Sequence, residues 1–274
     1  MASLSTWEHM GIGAIAGMTE VLVNQPTVAV KNAVQEGRPI PWTQPKQLYR
    51  GVVINCTSFA PITAIQFGSN RALEGMLNSA GYESNNLTKV AAAGGAGAMS
   101  AVCGCPGELV MIQQQRTGMS LGGTFRDIVS RYGPTRIYKG LAVTAVRDSL
   151  YTAGYLGVCP VLHEYVQNMD SFKGRSPTVQ FLAAGITAGL LGAIITHPAD
   201  TIKTRQQAFL DSKANPEYRS MLSTYRHLVS KHGVGILMSG FGPRTVRIVS
   251  ATMVLQVVRT NLVKLVEKQK GIES

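Results

Sequence analysis

Pro198-Ala199-Asp200-Thr201-Ile202-Lys203-Thr204-Arg205 directly follows Thr178 to His197, a run of 20 residues without a charge. A helix of about that length crosses the hydrocarbon core of a bilayer. A proline inside such a helix kinks it and frees a backbone carbonyl. The fold tolerates this only where protein or water lines the kink. Upstream, Gly185-x-x-x-Gly189 stands thirteen and nine residues before Pro198, and Gln207 stands nine after it. The same offsets recur twice. Gly13, Gly17, Pro26 and Gln35 form one copy, and Ala93, Gly97, Pro106 and Gln115 another. Small residues four apart let membrane helices approach closely. Each copy is followed by a second marker: Tyr49-Arg50-Gly51, Tyr138-Lys139-Gly140 and the weaker Met238-Ser239-Gly240. Self-similarity at a fixed period identifies a repeat architecture.

The rest of the 274-residue chain agrees. Charged residues make up 15% of it, against about 25% in soluble domains. Two further windows, Gly51 to Asn70 and Val90 to Gly107, are free of charge. Three more carry one or two charges: Met10 to Val30 (Glu20), Gly140 to Leu162 (Arg147, Asp148) and Gly240 to Val258 (Arg244, Arg247). Six spans put both termini on one side. No cleavable signal is visible in the first ten residues. Of 26 Lys and Arg residues, 15 fall in the loops after spans one, three and five, so those loops share a side. Three kinked helices converging at the basic end would close a cavity there and leave the other end open.

The net charge of +11 does not indicate nucleic-acid binding, because the cations alternate by loop rather than gather with aromatics on one soluble face. Gly94-Gly95-Ala96-Gly97 precedes no phosphate-binding lysine. Cys103-x-Cys105 lacks a second ligand pair, and the five histidines lack metal-ligand spacing. No catalytic residue, metal or enzyme activity is expected. His197, before Pro198, reads as packing.

Pro198-Ala-Asp200-Thr-Ile-Lys203-Thr-Arg205, with Tyr138-Lys139-Gly140, resembles the signature of the mitochondrial carrier (solute carrier) family over about residues 7 to 267. The resemblance implies an all-α membrane protein: six transmembrane helices in three tandem two-helix repeats, forming a pseudo-threefold bundle. One carrier domain, 1–274, would hold repeats at about 7–80, 87–168 and 177–268. It also implies the mitochondrial inner membrane, basic loops in the matrix, termini in the intermembrane space, cardiolipin as bound lipid, and transport by alternating access, typically antiport.

In that family each first helix of a repeat carries the kink proline, an acid two residues on and a base five on. The acid of one repeat pairs with the base of the next. Repeat three is whole, with Asp200 and Lys203. Repeat two has Glu108 but Met111 for the base, and repeat one has Lys31 but Val28 for the acid. The implied matrix gate is Glu108 with Lys203, Asp200 with Lys31, and Val28 with Met111. Both losses fall in one pair, so an ion pair is replaced by an apolar contact, which can be energetically neutral. Gln35, Gln115 and Gln207 match the family's glutamine braces. The opposite gate aligns on Arg71 with Glu74, Pro160 with His163, and Arg259 with Leu262, and these offer no family-style pair between neighbours. The first basic loop, with Pro39, Pro41 and Pro45, is expected to lack the surface helix usual there.

Ionisable residues mid-membrane mark function by default. Ser58, Arg147 with Asp148, and Arg247 match the family's three substrate contact points; Arg247 stands seven residues past Gly240 and Ser58 holds the matching place. Arginine suits a carboxylate, and Asp148 suits an ammonium. Tyr151 and Gln66 are weaker lining candidates, Glu20 is either a cavity acid or an outer-face residue, and Arg244 reads as structural. Two functions follow. One is transport of a small carboxylate, an amino acid or related dicarboxylic or oxo acid. The other is a transport-inactive subunit of a larger inner-membrane assembly, which the weak outer gate favours.

Overall fold

A computed structural model describes residues 6–83, 85–169 and 175–269, so the expectations placed on either terminus fall outside the described residues. The described chain is helical: α1 (Thr6–Glu36), α2 (Pro45–Leu48), α3 (Val52–Ser79), α4 (Asn86–Thr117), α5 (Leu121–Tyr132), α6 (Leu141–Thr152), α7 (Cys159–Asn168), α8 (Pro177–Ala208), α9 (Met221–His232) and α10 (Phe241–Gln269). A π-helical turn, Ala153–Val158, joins α6 to α7. Six long stretches result, and they close a ring. α1 packs on α3, α3 on α4, α4 on α6, α6 on α8, α8 on α10, and α10 back on α1.

Four of the stretches are long and apolar enough to cross a membrane: Pro45–Ser79, Asn86–Thr117, Thr178–Ala208 and Val234–Gln269. The other two carry Glu20, and Arg147 with Asp148, which lower their hydropathy. Large apolar side chains such as Phe67, Val102, Ile194, Ile195 and Val257 point outward and are half exposed or more. The buried residues are instead rich in Gln, Asn, Thr and charged side chains, concentrated at the basic-loop end. That is the reverse of a soluble core and is the distribution a bilayer solvent selects.

The repeat spacings have structural causes. Gly17, Gly97 and Gly189 are where each repeat's two helices touch. A Cβ at Gly17 would meet the Phe59 ring at 2.6 Å, at Gly189 the Ile248 side chain at 2.7 Å, and at Gly97 the backbone carbonyl of Asp148. Gly51, Gly140 and Gly240 open α3, α6 and α10 in the left-handed region, with φ of +84°, +85° and +79°, which side chains resist. Each sits against the next repeat's first helix: Gly51 on Met111, Gly140 on Gln207, Gly240 on Lys31 and Gln35. The residue preceding each kink proline ties down the same turn. Gln25 donates to the Arg50 carbonyl at 2.9 Å, Cys105 to that of Lys139 at 3.7 Å, and His197 Nε2 to that of Ser239 at 2.9 Å. His197 therefore has a specific structural partner as well as an edge contact with Phe241.

α1, α4 and α8 run on through Pro26, Pro106 and Pro198 without breaking. The surface helices differ between repeats. α5 and α9 have 12 residues each and are capped by Ser120 and Ser220, whereas the proline-rich first loop keeps only the four-residue α2.

Candidate functional site

The first helices of the three repeats meet at the basic-loop end, and there the buried charges are linked. Lys31 lies 2.7 Å from Asp200, and Lys203 lies 2.9 Å from Glu108. These are the two ion pairs expected between neighbouring repeats. Arg147 joins them: it is 2.8 Å from Glu108, 2.5 Å from Asp148 and 3.3 Å from Asp200. Arg244 is buried, 3.6 Å from Asp200, and donates to Thr196 at 2.6 Å. Arg147 and Asp148 are therefore part of the charge network itself. Arg244, which reads as structural in the sequence, is one of the four cations around Asp200 among the described residues.

The third seam, between repeats one and two, is built differently. Val28 and Met111 are both buried. Met111 packs on Gly51, and its sulfur accepts from Gln25 at 3.9 Å. Around it runs a neutral amide network: Asn55 donates to Gln25 at 3.0 Å, Asn32 to Gln115 at 2.7 Å, and Gln115 to the Arg50 carbonyl at 3.2 Å. Sequence reasoning missed Gln25, Asn32 and Asn55. A signal existed, since Gln25 and Asn55 are amides inside two apolar windows and Asn32 follows close after the first, but nothing in their spacing says that they face one seam. A double-mutant cycle tests that seam. Met111→Arg alone is expected to destabilise by about 3 kcal/mol, as an unpaired buried charge does. Val28→Glu added to it is expected to recover most of that loss in thermal unfolding. A double mutant no better than the singles removes the pairing.

The three glutamines lie beside these contacts. Gln35 donates to Asp200 at 3.1 Å and accepts from Thr204 at 2.7 Å, Gln115 occupies the amide seam, and Gln207 donates to Cys105 at 3.6 Å. Below them the helix ends are capped across repeats. Arg50 donates to the Met119 carbonyl at 2.8 Å, Lys139 to the Phe209 and Leu210 carbonyls, and Ser239 to the Val34 carbonyl at 3.2 Å. Cations and hydroxyls here satisfy the carbonyls that a helix C-terminus leaves free. Burial, then the like charge of Arg136, pulls Lys139 down to about 8, so it still donates as an ammonium at neutral pH. Glu36, with its side chain wholly buried, takes Arg38 at 3.1 Å and Arg116 at 3.7 Å, and Arg205 donates to its carbonyl at 2.8 Å.

Towards the other end, the network thins. Arg247 is partly exposed and lies 4.0 Å from Glu20, which is buried. Glu20 is thus directed at α10 and does not face outward. Ser58 packs beside Gly107, one residue from Glu108, and Gln66 donates to Ser100 at 3.2 Å. The Tyr151 ring reaches Gly192. Among the described residues Arg71, Glu74 and Arg259 make no ion pair, and Glu74 accepts from Asn70 at 2.9 Å. His163 lies 3.5 Å from Gln167, and the side chain of Pro160 lies outside the described residues. The basic-loop end is closed by charge pairs; among the described residues Arg71, Glu74 and Arg259 add none at the opposite end.

A family model described as mitochondrial carrier protein matches residues 82–170 and 174–270. The chain belongs to the mitochondrial carrier family. It is thus a multi-pass protein of the mitochondrial inner membrane, in a family of transporters rather than enzymes. Three relatives set the distance within that family. Mitochondrial glutamate carrier 2 of Mus musculus is 26% identical over 226 residues, covering 72% of this chain and 70% of the relative. Mitochondrial citrate transporter D of Aspergillus niger is 26% identical over 286 residues, covering 94% of each chain. A probable mitochondrial 2-oxodicarboxylate carrier of Dictyostelium discoideum is 26% identical over 279 residues, covering 94% and 91%. Within this carrier fold, the ring of six helices and the threefold contacts described above place the charge network at the end where the three repeats meet.

Proposed function

We propose that this protein transports a small carboxylate metabolite, an amino acid or related dicarboxylic or oxo acid, across the mitochondrial inner membrane by alternating access. The chain is read as one carrier unit, 1–274, of three repeats near 7–80, 87–168 and 177–268. Its basic loops face the matrix and its termini the intermembrane space. The names of its relatives, a glutamate, a citrate and a 2-oxodicarboxylate carrier, support the substrate class.

One observation carries the mechanism: Arg147 is shared by Glu108, Asp148 and Asp200 within 3.3 Å. A guanidinium binds a carboxylate through two parallel hydrogen bonds. An incoming substrate carboxylate competes with Glu108 and Asp200 for it. Those same two acids hold Lys203 and Lys31. Substrate at Arg147 therefore loosens the two ion pairs that close the matrix end, and departure of the substrate restores them. Ser58 and Arg247 are the other two contact points in this reading.

Uptake by purified protein in liposomes tests it, with a panel of amino acids, dicarboxylates, oxo acids and nucleotides. Arg147→Ala and Arg247→Ala are each expected to lower uptake of the carboxylate substrate by about 100-fold, the loss of a charge-assisted pair in a site of low polarity. The rival reading is a transport-inactive subunit of a larger assembly, favoured by the outer end, where Arg71, Glu74 and Arg259 make no ion pair among the described residues. Folded protein that moves nothing in the panel establishes that rival.

A further inference from the structure

Glu20 stands six residues before Pro26, where the matching positions of α4 and α8 are Ser100 and Gly192. Of these three matching positions only the first repeat's carries a charge. The carboxylate is buried, at 4% exposure, and its Oε1 accepts from Asn24 at 3.2 Å. Among the described residues its one cationic neighbour, Arg247 on α10, is 4.0 Å away, beyond hydrogen-bond length. The Arg247 side chain is 42% exposed. A carboxylate held inside a membrane bundle with so loose a partner is under-neutralised.

We infer that Glu20 and Arg247 form the subsite for the ammonium and α-carboxylate of an amino acid, and that the substrate is an amino-dicarboxylic acid. This rests on the carrier reading above and narrows it. A zwitterion entering the gap supplies each member of the loose pair with its opposite charge, the ammonium to Glu20 and the carboxylate to Arg247. An oxo or hydroxy dicarboxylate offers Glu20 no cation and crowds a second anion near it, a like-charge juxtaposition that disfavours it.

The second carboxylate has a partner within reach. Arg244 lies one turn before Arg247 on α10 and is 3.6 Å from Asp200, which Arg147 also touches. The two subsites thus differ by three residues of helix, about 4.5 Å of rise, which a four- or five-carbon diacid can bridge. The charge balance agrees. Across both subsites, among the described residues, five cations (Lys31, Lys203, Arg147, Arg244, Arg247) face four carboxylates (Glu20, Glu108, Asp148, Asp200). The single positive excess is the charge that an amino-dicarboxylic acid neutralises.

The test compares glutamate with 2-oxoglutarate, which share a skeleton and differ at the ammonium. Initial uptake is measured with the full chain in liposomes. The wild type is expected to favour glutamate by about tenfold or more in kcat/KM, the scale of a single charge contact. Glu20→Gln is expected to lower glutamate uptake by about tenfold while 2-oxoglutarate uptake holds or rises. A merely structural role lowers both in proportion, and that outcome overturns the inference. Equal handling of the two acids by the wild type overturns it too, and requires no variant to fold. Should Glu20→Gln not fold, Glu20→Asp keeps the charge and is expected to keep the preference with a raised KM for glutamate; loss of the preference counts against the subsite. Transport of other carboxylates but neither of these acids sinks the amino-dicarboxylate assignment alone, whereas no uptake of any acid sinks the carrier reading with it.

Discussion

Asp200→Asn is expected to abolish uptake and to lower folded stability by about 3–5 kcal/mol, the scale for breaking a buried charge network at one member. Asp200 is nearly fully buried, with Lys31 at 2.7 Å, Arg147 at 3.3 Å, Arg244 at 3.6 Å and Lys203 at 3.7 Å. An asparagine of the same shape keeps the volume but leaves those cations facing one another with two fewer charges of relief than they need, since Glu108 and Asp148 are already committed to Lys203 and Arg147. Thermal unfolding in detergent reads the stability, and liposome uptake reads the function. The pairing account also specifies which control is milder. Lys31→Gln removes one cation from a crowded set, so its stability loss is expected to be the smaller of the two. A Lys31→Gln protein as unstable as Asp200→Asn would show that Asp200 does not organise the network.

Gly97→Ala is the second large effect. A methyl group there would run into the backbone carbonyl of Asp148 and the Thr152 hydroxyl. Backbone cannot move aside as a side-chain tip does, so α4 and α6 must separate. Overpacking of this kind costs about 3 kcal/mol, and the separation also displaces Asp148 and Arg147 from the charge network. The midpoint of thermal unfolding is expected to fall sharply, or the protein to fail to accumulate. Gly68→Ala, in α3 with open space around it, is the matched control and should unfold no earlier than the wild type, since alanine is the better helix former. Equal midpoints for the two variants would mean that the α4–α6 contact at Gly97 is not close.

Gly97 also shows how far the sequence could be read. Its place nine residues before Pro106, matched by Gly17 and Gly189, marks it as a small residue in a repeat, and the structure makes all three the contact between the two helices of a repeat. The first members of the small pairs are less uniform: Gly13 faces open space while Gly185 approaches Thr252 at 3.5 Å. Spacing identifies the helix face, but which residue on it touches depends on the crossing point. The Tyr-Arg-Gly and Tyr-Lys-Gly markers were visible as repeats. Their cause, a left-handed turn whose preceding side chain caps the next repeat's helix, needs the neighbouring helix to be seen.

The family resemblance implied the ion pairs Lys31–Asp200 and Lys203–Glu108; the sequence alone determined the membrane class, the six spans and the threefold repetition. Each of these follows from periodic constraints, because hydrophobic length, proline offsets and charge alternation are local quantities repeated along the chain. Tertiary structure alone decided what Arg147 and Arg244 touch, where Glu20 points, and how the charge-free seam at Val28 and Met111 is closed by Gln25, Asn32, Asn55 and Gln115. Those contacts join residues far apart in the chain, on helices brought together by ring closure. Long side chains choose partners by reach and by local charge, and neither is encoded in the spacing of their own helix.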